Sequence, residues 1–176
     1  MRGRLLRTRI VAALATAAFA APLAAQEPRP DLSGTWQGAL TNLPARAGAP
    51  SVDVTMDLWP LPTADSSCAR WRTTYAEGGT VRQVKDYRFC RGVGADDLYI
   101  DEGDGTRLTA RWIGDVLVSP FKVGDVLLVS SIRLYGAFLE EEILTVQDQP
   151  ATRGVRPLVP RSIQRLVLRR RPLGPQ

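Results

Sequence analysis

Histidine is absent from the 176-residue chain. With it goes the side chain that most often moves protons at neutral pH. A serine or cysteine nucleophile therefore lacks its usual base, and no lysine sits in a recognisable serine–lysine arrangement. Cysteine is scarce, at Cys68 and Cys90 only. Long apolar runs are missing too. The one candidate, Ile10 to Ala21, is short for a membrane span and is followed by Pro22. It comes after Arg2, Arg4, Arg7 and Arg9 and before the small pair Ala24-Ala25, the pattern of a signal peptide over residues 1–25. No cysteine stands at that cleavage site to carry a lipid anchor. Residues 26–176 are then about 150 in number, the size of a single domain with a real core. The expected location is periplasmic or secreted.

Acidic residues are also missing from one end. Residues 151–176 hold seven arginines and no acid, whereas residues 26–150 hold 12 basic and 18 acidic groups. The formal net charge of +5 thus hides an acidic body closed by a basic end. An exported protein rarely meets nucleic acid, so no nucleic-acid partner is expected. The arginines are expected to pair with the acidic body.

No convincing helix follows residue 25; the chain reads as strands. Arg107 to Val146 contains four of them, separated by Gly114-Asp115, Gly124-Asp125 and Tyr135-Gly136. Glycine first suits a type II′ turn, and glycine second suits type I′. Ser33 to Leu40, Val52 to Leu58, Leu98 to Asp101 and Ile163 to Arg170 read as further strands. Eight to ten strands joined by short turns predict an all-β fold. A single antiparallel up-and-down barrel fits, since closure removes the sheet edges, with a two-sheet sandwich as the alternative. Arg111, Arg133, Glu140 and Glu142 fall on the outer face, which argues against a membrane-spanning barrel.

Export favours a disulfide between Cys68 and Cys90. A hairpin turning near Gly79 sets the two cysteines opposite each other, along with Trp71 opposite Tyr87 and Arg72 opposite Asp86. The same register sets Arg70 opposite Arg88, an unfavourable pair that leaves a diagonal slip open.

Assigning register to the four-strand run yields an inner face with rows Trp112–Leu117–Ile132–Leu139 and Leu108–Phe121–Leu128–Ile143. Between them runs Ala110–Ser119–Ser130–Glu141, small, hydroxylated and ending in a carboxylate. Ser119, Ser130 and Glu141, with Trp112, Phe121, Leu128 and Ile132 around them, are the candidate ligand-binding residues. Small residues leave space, and a buried carboxylate requires a partner. The competing reading puts Glu141 in an exposed acidic run, Glu140 to Glu142, and Pro120 marks a possible bulge there. The acidic residues Asp96, Asp97, Asp101, Glu102 and Asp104 lack calcium-loop spacing and read as hairpin tips, so no metal site is assigned.

Gly34-Thr35-Trp36, opening the first strand, resembles the Gly-x-Trp motif that begins lipocalins and other calycin barrels. The resemblance implies a barrel whose Trp36 plugs the closed end under an arginine near the C-terminal end, Arg165 or Arg169, and whose interior holds a small hydrophobic or amphipathic molecule. The chain departs from the family in lacking a Thr-Asp-Tyr motif and a helix after the barrel. Haem ligation through histidine is ruled out by composition, and no cofactor is expected. Three functions remain. The first is an exported carrier that binds such a small ligand, including lipid. The second is a protein-binding barrel such as a periplasmic protease inhibitor, with a mobile arm at Gln26 to Asp31. The third is an enzyme using interior carboxylates. No catalytic residue is assigned.

Overall fold

The computed structural model describes residues 29–151 and 153–172. The expected signal peptide, residues 1–25, lies outside them. The described chain forms ten strands and no helix: β1 Gly34–Leu43, β2 Val52–Leu58, β3 Ser67–Glu77, β4 Thr80–Arg91, β5 Leu98–Asp101, β6 Arg107–Ile113, β7 Val116–Val123, β8 Val126–Tyr135, β9 Phe138–Asp148 and β10 Leu158–Arg170. Each strand pairs antiparallel with the next, and β1 pairs with β10 to close an up-and-down barrel. An even strand count lets every neighbour be antiparallel, so closure costs no parallel pair. The barrel expectation holds and the sandwich falls away.

Alternation along each strand places the core. Val54, Met56 and Leu58 of β2, Leu166 and Leu168 of β10 and Phe89 of β4 are buried inside, while their neighbours face out. Trp36, 2% exposed, belongs to this core. The Trp36 indole N–H donates to the Leu32 carbonyl at 2.9 Å, and the Arg170 guanidinium lies 4.7 Å from the ring centroid. Arg165 and Arg169 do not take this position. Leu166, Leu168 and Arg170 share the inner face, so alternation turns the odd-numbered arginines outward: Arg165 holds Glu142 at 2.6 Å, and Arg169 stacks on Phe138. Pairing of Trp36 with Arg170 in the closing ladder completes the plug.

Two turns match the expected type. Gly114 and Gly124 have φ of +61° and +60°, and neither Asp115 nor Asp125 has a positive φ, as type II′ requires. The third turn is shifted by one residue. Tyr135 pairs with Phe138, so the turn is Gly136-Ala137, with Gly136 first at φ +56°. A type I′ turn at Tyr135-Gly136 would force a bulky tyrosine to positive φ. Moving one residue along puts glycine there instead, and the β8–β9 register slides by two. Ser130 stands opposite Ile143, and Glu141 opposite Ile132. A slip of two preserves the face, so Glu141 still points inward.

The wall is cut short in two places, on either side of the β5–β6 pair. β5 has four residues and pairs only with Arg88–Arg91, so Thr80–Tyr87 of β4 has no ladder partner on that side among the described residues. The β6–β7 ladder runs only from Arg111 to Ile113, two residues short of the level of Pro120. Beyond it the Ser119 hydroxyl, at 2.9 Å, donates to the Thr109 carbonyl.

Candidate functional site

The half of the barrel away from Trp36 holds a polar interior. The β3–β4 hairpin contributes Thr73, Tyr75, Lys85 and Tyr87, in the register expected from the cysteines, and the Cys68–Cys90 disulfide is formed. The awkward Arg70–Arg88 pair is relieved diagonally: Arg70 binds Asp86 at 2.8 Å, and Arg88 binds Asp101 at 2.8 Å. β7, β8 and β9 contribute Ser119, Ser130 and Glu141, all buried.

Glu141 is 8% exposed, and Ser130 Oγ donates to its Oε1 at 3.0 Å. None of the ten ion pairs among the described residues includes it. Burial pushes the Glu141 carboxyl above the usual glutamate range, against the pull of the Ser130 hydrogen bond and the Lys85 charge. Burial also raises the Tyr75 phenol, with the Glu141 and Tyr87 charges adding to it. Burial and the charge and hydrogen bond of Glu102 push Tyr87 up to about 12. Lys85 Nζ lies 5.6 Å from the centre of the Tyr75 ring.

These residues surround a cavity of about 70 Å³, floored by Trp71, Ile100, Leu108 and Ile143. That is room for roughly two waters and well below the 300–1,000 Å³ of a pocket enclosing a drug-sized ligand. The sequence-derived residues divide. Ser119, Ser130, Glu141 and Phe121 line this cavity, Ile132 is in the packed core, and half-buried Leu128 lines neither cavity. Trp112 faces a second cavity of about 310 Å³ at the Trp36 end, with Pro30, Pro60, Leu61 and Phe89. Sequence reading missed Thr73, Tyr75, Lys85 and Tyr87. The signal was present, since the disulfide register sets Thr73 opposite Lys85 on the face that Trp71 shares.

The acidic turn behaves as a turn: Asp101 accepts from the Gly103 N–H and Asp104 from the Thr106 N–H, both at 2.9 Å. The expected N-terminal arm, where described, is fastened. Arg29 binds Asp96 at 2.7 Å, and Arg170 donates to the Asp31 carbonyl. The outer face carries the Arg133–Glu140 and Arg133–Glu142 pairs. No helix among the described residues is long and apolar enough to cross a membrane.

Fold and site together describe a closed ten-stranded antiparallel barrel, calycin-like in architecture, with one plugged end and a polar chamber near the other. No known family model, curated protein or solved structure matches the chain.

Proposed function

We propose that this is an exported, lipocalin-like barrel that binds a small amphipathic molecule, holding its hydrogen-bonding head against Glu141 and leaving its apolar part toward the open end. One observation carries the reading: Glu141 is buried beside a cavity with a single hydrogen-bond donor, Ser130. A carboxylate offers about four lone-pair sites, and a buried one left under-satisfied is costly. A ligand amine or hydroxyl would supply the missing donors. The small volume fits a head group rather than a whole lipid, and Phe121, Ile143 and Leu108 offer apolar contact around it. The disulfide suits an oxidising compartment, which supports export.

Binding of a medium-chain alkyl amine, alcohol and carboxylate, measured by calorimetry on detergent-free protein, tests this. The amine and the alcohol should bind and the carboxylate should not. Glu141→Gln should weaken the amine by about 10-fold or more, the scale of a lost charge-assisted contact. Absence of binding, or equal binding by the variant, overturns the reading.

A further inference from the structure

The chain is 7% aromatic, yet four aromatic side chains, Trp71, Tyr75, Tyr87 and Phe121, line one cavity of about 70 Å³. Two carboxylates, Glu102 and Glu141, and one ammonium, Lys85, line it as well. Lys85 takes part in none of the ten ion pairs among the described residues, so it neutralises neither carboxylate by direct contact. The charge of the chamber therefore leans negative. After burial, the charge of Glu141 pushes the Tyr75 phenol up, and the charges of Glu102 and Glu141 do the same to Tyr87. One ring already presents its face to a cation: Lys85 Nζ lies 5.6 Å from the centre of Tyr75, within the range of a cation–π contact.

We infer that the chamber selects a tertiary ammonium head, a dimethylammonium on an alkyl stem, and acts as an aromatic cage for it. The inference rests on the binding reading above and narrows its head group. The single N–H of such a head supplies a donor to Glu141, which has only Ser130. Its two methyl groups carry the spread positive charge against the rings. A primary ammonium brings three strongly hydrated donors that must all find acceptors on leaving water, and it sets no methyl against Trp71 or Phe121. A neutral head gains nothing from the ring quadrupoles, and a quaternary head has no N–H for Glu141. Lys85 is the built-in competitor. Its ammonium occupies the Tyr75 face in the free chain, and the ligand displaces it.

Calorimetric titration of detergent-free protein with octylamine, N,N-dimethyloctylamine and the neutral dimethylcarbinol of the same chain tests the inference. The dimethylamine should bind about 10-fold tighter than octylamine, and tighter than the carbinol by at least as much. The carbinol carries the same methyl groups without the charge, so added apolar area alone would favour both alike. Tyr75→Leu should remove the preference for the dimethylamine, and Tyr75→Phe, which keeps the ring, should retain it. Where Tyr75→Leu fails to fold, Lys85→Met decides. Removal of the competing charge should tighten the dimethylamine by about 5-fold, a gain that a merely structural lysine would not give. Four results overturn the inference while leaving Glu141 as the anchor: octylamine bound as tightly as its dimethyl form, a carbinol that matches the dimethylamine, a Tyr75→Leu chain that keeps the preference, or a Lys85→Met chain with unchanged or weaker binding. Binding of neither amine overturns both the inference and the reading it rests on.

Discussion

Glu141 concentrates the chemistry of the chamber in one carboxyl group. Its pKa is raised in the folded state, so over the interval between the ordinary and the raised value the folded chain holds a proton that the unfolded chain has lost. Stability is therefore greatest below the ordinary glutamate range and falls as pH rises through that interval. Glu141→Gln should flatten this part of the pH–stability curve and raise neutral-pH stability by about 1–2 kcal/mol, read by denaturant titration at several pH values. The same sign governs binding. An amine at Glu141 favours the charged carboxylate and expels the proton, so amine affinity should rise with pH across the interval while alcohol affinity should not. Gly38 is a second residue with a sharp expectation. A Cβ there would overlap the Val167 carbonyl oxygen and stand 3.1 Å from Leu168 Cα, both backbone atoms of the neighbouring strand. Gly38→Ala should cost about 2–3 kcal/mol, seen as a lower thermal midpoint, because β10 must move to admit it.

At the level of elements, most of the architecture was legible in the sequence and the residue partnerships were less so. Glycine–aspartate turns and period-two alternation are local signals, and both sit in the strands that Gly114 and Gly124 join. The cysteine pair anchored the β3–β4 register from Cys68 to Tyr75, up to a bulge near Ala76 that no local signal marks. Gly136 was assigned to the second turn position when it occupies the first. That single step moved Glu141 from a place beside Ser130 to a diagonal one, a change of partner without a change of face. β10 begins at Leu158, five residues before expectation, because a bulge at Arg161 lets Pro160 share the strand. Arg165 and Arg169 were named for the plug although the strand end at Arg170 was placed correctly: both alternate with buried Leu166 and Leu168, and Arg170 is the arginine that shares the inner face. The hairpin itself yields a prediction. Cys68→Ser with Cys90→Ser opens a loop of 22-residue separation and should cost about 3 kcal/mol in chemical denaturation, with the barrel retained.

For the molecule as a whole, charge and packing are both asymmetric. Two arginines of the basic end pair with acids of the body that precedes it, Arg165 with Glu142 and Arg156 with Asp148, and Arg161 donates to the Gln147 side-chain oxygen. The apolar core lies around Trp36 and the polar chamber toward Tyr75 and Phe121, where the wall is also incomplete. Amide exchange should be slow in Arg88–Arg91, laddered on both sides, and faster in Thr80–Tyr87, laddered on one, measured by mass spectrometry. The ladder that closes the barrel has a mechanical consequence. Gly34 and Arg170 lie at the same end of two antiparallel strands, so tension applied through the segments before β1 and after β10 loads their hydrogen bonds one at a time. The seam would peel like a zipper at low force, and a load drawn along the strands, from Gly34 to the turn at Gly78, would meet far greater resistance.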